Sequence, residues 1–169
     1  MLVGIAASGR TPYVLGAIAE ARRLDAITVG ISGTPDSELS RAVQIAITPL
    51  TGPEVVAGST RMKAGTATKL VLNMISTAVF IRLGYVYGNL MVNVQPKNSK
   101  LLDRAKRIVA ESTGRTYDAA GDLLAAAGSK VRTAIVMGKL SVDCETAERC
   151  LAASNGSVSK ALETTDGGR

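Results

Sequence analysis

Histidine is absent from the 169-residue sequence, tryptophan is absent too, and a single phenylalanine and four tyrosines hold the aromatic content to 3%. Without imidazole, Ser-His-Asp and Cys-His machinery is excluded, and so is any zinc site that needs a histidine ligand. Acid–base chemistry near neutral pH then falls to Asp, Glu, Lys, Tyr or Cys. With so few rings, the core is built from Ala, Val, Ile, Leu and Met. Cysteine is scarce: Cys144 and Cys150 stand six apart in a helix-like stretch. Six residues turn a helix by about 600°, which sets the two thiols on opposite faces. Two unpaired thiols in a reducing compartment are therefore expected, rather than a disulfide or a metal knuckle. No uninterrupted apolar run reaches the ~18 residues of a membrane span. The apolar start, residues 1–6, is too short for a secretory signal and ends in Ser8-Gly9-Arg10. These absences predict a cytoplasmic protein without a membrane partner.

What is present is globular in composition, with 46% hydrophobic and 20% charged residues. Twenty Lys and Arg against fourteen acids give a net charge of +6, an excess that raises nucleic-acid binding as an option. The cations are scattered, however, and the one dense run, Lys97, Lys100, Arg104, Lys106 and Arg107, has no aromatic residue beside it to stack on bases. That run is expected on the wet face of a helix. No nucleic-acid partner is expected, and a phosphate-bearing small molecule accounts for part of the positive charge equally well.

Punctuation along the chain predicts an α/β first part. Residues 2–6 read as a buried strand, and Pro12 opens a helix to about Leu24, with Thr11 placed to cap it. Residues 26–31 form a second strand, 32–36 a polar turn, 37–43 a short helix and 44–47 a third strand. Strand, helix, strand, helix, strand in fifty residues is the pattern of a parallel, doubly wound sheet. Three strands are few for such a sheet, where about 5–6 are usual. A loop over 48–58 leads to a long apolar helix over 59–83. Gln95-Pro96-Lys97-Asn98 marks a domain boundary, giving a 1–95 α/β part and a 96–169 all-helical module. The module's helices are expected near 98–112, 116–127, 130–138, 142–153 and 157–163, with 164–169 a frayed tail.

Two stretches carry chemistry. The first, Ser8-Gly9-Arg10-Thr11-Pro12, lies between a strand end and a helix start, where free amides and the helix dipole favour an anion. A simple capped helix explains the same residues. The second runs from Gly52-Pro53-Glu54 through Gly58-Ser59-Thr60-Arg61-Met62-Lys63 to Lys69. Ser59 and Thr60 offer hydroxyls, Arg61 can fork onto phosphate or carboxylate oxygens, and Glu54 is the loop's one carboxylate, suited to accept sugar hydroxyls. Two cations in the first turn of a helix oppose its dipole unless an anion sits there.

In this order and separation the two stretches resemble the sugar isomerase (SIS) fold of phosphosugar-binding domains. The second resembles, without a break over 52–69, the signature shared by N-acetylmuramic acid 6-phosphate etherases and the glucokinase regulatory protein. Lys69-Leu70-Val71-Leu72-Asn73-Met74-Ile75-Ser76-Thr77 and Val86-Tyr87-Gly88-Asn89-Leu90-Met91-Val92 look like the etherases. The resemblance implies a lyase of cell-wall recycling that splits the lactyl ether of its substrate into N-acetylglucosamine 6-phosphate and D-lactate. It implies no metal or organic cofactor, a carboxylate that takes the proton at sugar C2, and an acid that protonates the leaving lactate.

In that family the acid–base glutamates lie upstream of the segment matching Met1, so none is assigned here and Glu54 is not one of them. The expectation is an amino-terminally truncated form, inactive alone, that keeps Ser8, Gly9, Arg10, Thr11, Glu54, Ser59, Thr60, Arg61 and Lys63 as its sugar-phosphate pocket. The alternative is a non-catalytic phosphosugar-binding regulatory protein, which needs a pocket and no acid–base pair. A homodimer is expected on either count, because the apolar helix over 59–83 and an open sheet edge both call for cover.

Overall fold

The computed structural model describes residues 1–166, with side chains through residue 163. Contacts divide the chain into two units, Met1–Ser76 and Thr77–Arg169. Among the described residues there are eight helices, a three-stranded parallel sheet and a two-stranded hairpin.

The first unit is built from β1 (Leu2–Ile5), α1 (Pro12–Arg23), β2 (Thr28–Ile31), α2 (Glu38–Ala42) and β3 (Ile45–Ile47), as the alternation of short apolar runs and helical segments predicts. The strands pair in parallel in the order β1-β2-β3, with Gly4 opposite Gly30 and Val29 opposite Ile45. Those two glycines decide how closely the helices approach. A Cβ on Gly4 would stand 2.8 Å from Val14 of α1, and one on Gly30 would stand 3.0 Å from Leu39 of α2. Because the glycines are register partners, α1 and α2 cover the same face, as two crossovers of one hand stepping in one direction require. Ile18 and Leu39 fill the space between. On the other face Val3, Ile5 and Ile45 are 39%, 42% and 51% exposed.

Pro12 stands in the first turn of α1 as expected, but Thr11 makes no capping bond with its side chain. Ser37 does cap α2, accepting from the Ser40 amide at 3.2 Å. The long helix, α3, spans Lys63–Arg82 and so begins four residues later than its sequence suggests. The reason is a cap that comes from Glu54, described below. Val71 is the buried residue of α3, whereas Leu70, Met74, Val79 and Ile81 are each about half exposed or more. By length and composition alone it is, among the described residues, the one helix apolar enough to cross a membrane, despite Lys69 within it.

In the second unit, β4 (Val86–Tyr87) and β5 (Leu90–Met91) form an antiparallel hairpin that the sequence reading misses. Its turn is Gly88-Asn89, with Gly88 at φ +59. Then come α4 (Ser99–Thr113), α5 (Tyr117–Ala126), α6 (Val131–Leu140), α7 (Cys144–Ala153) and α8 (Val158–Asp166), all close to expectation. Asn98, Thr116 and Asp143 cap α4, α5 and α7 through their side chains. The hairpin belongs to this unit because Val92 lies in its core with Ile108, Val109, Leu124, Ile135 and Leu151. Helix α4 buries Ala105, Ile108 and Val109 and leaves Lys100, Arg104 and Arg107 exposed. Cys144 and Cys150 are both free on α7. Helix α8 takes in residues 164–166 of the expected tail, and residues 167–169 lie outside the described residues.

Candidate functional site

A parallel sheet presents its binding crevice at the carboxyl ends of its strands, where each strand hands over to a loop and then a helix. Here all three strands do so together. Ala7 and Ser8 after β1, Gly33 and Thr34 after β2, the Thr51–Glu54 segment after β3, and Ser59, Thr60 and Ala64 at the approach to α3 line one cavity of about 450 Å³. Both chemically marked stretches of the sequence therefore contribute to one wall system: Ser8 from the first, and Glu54, Ser59 and Thr60 from the second.

The loops are stitched to one another by main-chain bonds. The Gly33 amide donates to the Ala7 carbonyl at 2.9 Å, the Thr34 hydroxyl to the same carbonyl at 3.3 Å, and the Leu39 amide to the Gly9 carbonyl at 2.9 Å. Ser32 and Ser37 meet hydroxyl to hydroxyl at 3.2 Å beneath them. Gly9 sits at φ +65 with its amide bonded to the Ala6 carbonyl, so its conformational freedom closes a turn and packs it against Ser37.

Glu54 is half-buried and its carboxylate is spoken for by the main chain. Its Oε2 accepts from the Lys63 amide and its Oε1 from the Ala64 amide, both at 3.0 Å. The Ala64 amide first, then the Lys63 amide, holds this carboxyl below the usual carboxylate range. The anion that a lysine-bearing first turn demands is thus supplied by the chain itself.

The remaining candidates fall elsewhere. Arg10 lines, with Ser8, Thr34 and Arg41, a smaller cavity of about 230 Å³ beside the first. Thr11, Arg61 and the Lys63 side chain are exposed, and Arg61 makes no hydrogen bond or ion pair among the described residues. Thr34 and Thr51 are the hydroxyl-bearing cavity residues that sequence reasoning misses. A signal for Thr34 was present: Ser32-Gly33-Thr34-Pro35 repeats, after β2, the Ser8-Gly9-Arg10-Thr11-Pro12 pattern after β1. Among the described residues no three Cys, Asp or Glu side chains cluster as a metal site.

No family model matches the chain. Its curated relatives include a protein of Symbiobacterium thermophilum, 58% identical over 136 residues, which are 80% of this chain and 45% of that protein. Relatives from Clostridium acetobutylicum and Pasteurella multocida are each 51% identical over 96% of this chain and 54% of their own length. All three carry the name N-acetylmuramic acid 6-phosphate etherase. The chain spans about half the length of the curated relatives it matches.

Proposed function

We propose that this chain, a homologue of the N-acetylmuramic acid 6-phosphate etherases over the half of their length that it spans, binds the phosphorylated amino sugar of that reaction in the cavity at the carboxyl edge of β1–β3. One observation carries it. The ends of all three parallel strands and the approach to α3 bring five hydroxyl side chains, Ser8, Thr34, Thr51, Ser59 and Thr60, to a single cavity. Hydroxyls and main-chain amides at strand-to-helix turns are the donors a phosphate needs, and Arg61, exposed and unpaired among the described residues, is within the same loop. The half-exposed apolar side chains of α3 and of the sheet's open face fit a homodimer or a further layer of chain over them. In this proposal the protein is cytoplasmic, belongs to a SIS-type fold and uses no cofactor.

The chain's part is binding rather than bond cleavage. The cavity's one carboxylate, Glu54, accepts two amides that favour its ionised form and so make it a weaker base for the sugar C2 proton. Calorimetry of the 169-residue chain with N-acetylglucosamine 6-phosphate, against unphosphorylated N-acetylglucosamine, tests the pocket: binding of the first and not the second is expected. Equal or absent binding of both overturns it. A D-lactate assay with N-acetylmuramic acid 6-phosphate is expected to show no release by this chain alone, and measurable turnover overturns the division of labour.

A further inference from the structure

The segment that carries Ser59 and Thr60 into the cavity has little of its own to hold it. Between β3 and α3 it forms neither strand nor helix, it turns at Gly52 (φ +68) and Gly58 (φ +84), and it exposes Val55, Val56 and Met62 by 82%, 69% and 69%. Ordering such a segment costs backbone conformational entropy, which local contacts must offset. Apart from the Thr66 amide donating to the Met62 carbonyl at 3.0 Å, the bonds that tie it to the helix among the described residues come from one side chain. Glu54, at the start of the loop, reaches across nine and ten residues to accept the first two amides of α3. The carboxylate also meets the positive end of the helix dipole, so charge and geometry agree.

We propose that Glu54 is a positioning residue: its carboxylate clamps the 54–63 loop onto the first turn of α3, sets Ser59 and Thr60 on the cavity wall, and does not itself bind the sugar phosphate. The Lys63 and Ala64 amides, which would otherwise attract a phosphate, are already satisfied. The phosphate is therefore left to the hydroxyls of Ser8, Thr51, Ser59 and Thr60, since the Thr34 hydroxyl already donates to the Ala7 carbonyl. This assignment rests on the proposed phosphosugar site for its consequence in binding, but the clamp can be read without any ligand.

The test uses the full 169-residue chain with Glu54→Ala and Glu54→Gln, the second keeping one acceptor oxygen. Amide hydrogen exchange at Lys63, Ala64 and residues 55–62 is measured without ligand, and affinity for N-acetylglucosamine 6-phosphate by calorimetry. Glu54→Ala is expected to speed exchange at those amides at least tenfold and to weaken binding at least tenfold, while exchange in α4–α8 stays unchanged. Glu54→Gln is expected to recover part of both losses, and it stands in should the alanine variant fail to fold. Weaker binding with unchanged exchange at Lys63 and Ala64 would make Glu54 a direct ligand and overturn the proposal. A wild-type chain that fails to bind overturns the binding site, whereas the ligand-free exchange data decide the clamp separately.

Discussion

Gly9 and Ser37 are packed so closely that a Cβ added to the glycine would stand 2.2 Å from the serine Oγ and 2.3 Å from its Cβ. Ser37 is buried, caps α2 and shares a hydroxyl contact with Ser32, so it cannot simply swing aside. Gly9 also holds φ +65, which an L side chain resists. Gly9→Ala is expected to destabilise the first unit by about 1–3 kcal/mol, the usual cost of overpacking. Because the Ser37 Cβ obstructs as well as its hydroxyl, adding Ser37→Ala should restore little. Urea unfolding of the single and double variants checks both statements; a neutral Gly9→Ala would mean that the turn after β1 is free to shift.

The same turn shows what sequence could and could not disclose. Pro12 and the short apolar runs at residues 2–6 and 26–31 are local signals, and they locate β1, α1 and β2 to within a residue or two. The start of α3 is not local. Its cap lies nine residues upstream in Glu54, so Ser59 and Thr60, good capping residues by type, stand in the loop instead. Two-residue strands such as β4 and β5 are too short to show an alternation, and only Gly88-Asn89 between them marks a hairpin. In the candidate site, Ser8, Ser59 and Thr60 stood out in the sequence as hydroxyls in marked loops, whereas Thr34 and Thr51, which line the same cavity, did not. That Glu54 spends its charge on α3 was not legible, because its partners are main-chain amides that every sequence contains.

Glu54 also gives the first unit a pH dependence of definite sign. Its carboxyl is held below the ordinary value by the Ala64 and Lys63 amides, so the folded chain binds a proton there less readily than the unfolded chain. The stabilisation is complete above the ordinary carboxylate range and is lost as pH falls through the lowered folded value. Lowering the pH from 7 toward 3 is therefore expected to loosen the loop and reduce the urea midpoint more in the wild type than in Glu54→Gln, which has no such proton to take up. Parallel midpoint-against-pH curves for the two proteins would remove Glu54 from the account.

Arg61 and Lys97 make a paired test of where the anion binds. Both are exposed cations, but Arg61 follows the two cavity hydroxyls directly while Lys97 lines a cavity of about 620 Å³ in the helical unit. Arg61→Ala is expected to weaken binding of N-acetylglucosamine 6-phosphate by about 1.5–3 kcal/mol, the worth of a charge-assisted hydrogen bond. Ser59→Ala should cost less, about 0.5–1.5 kcal/mol. Lys97→Ala should leave the affinity nearly unchanged. Calorimetry on the three variants ranks them, and equal losses at Arg61 and Lys97 would place the anion outside the cavity of the first unit.

Stability of the helical unit is expected to hinge on α6, which is buried on nearly every side: Ala134, Ile135 and Val136 are each 0% exposed, with Val131 and Thr133 at 2%. Ile135 sits in the fully enclosed middle of this helix. The helix's own glycine confirms the fit, since a Cβ on Gly138 would stand 2.6 Å from Thr113 of α4 and 2.8 Å from Leu123 of α5. Ile135→Ala removes buried carbon and leaves a cavity, for which about 2–5 kcal/mol is expected. Leu102 on α4, 38% exposed, is the contrasting site, and Leu102→Ala should cost well under half as much because water already reaches it. Urea unfolding followed by helical circular dichroism reads both, and a loss at Leu102 equal to that at Ile135 would show that α6 is not the centre of this core.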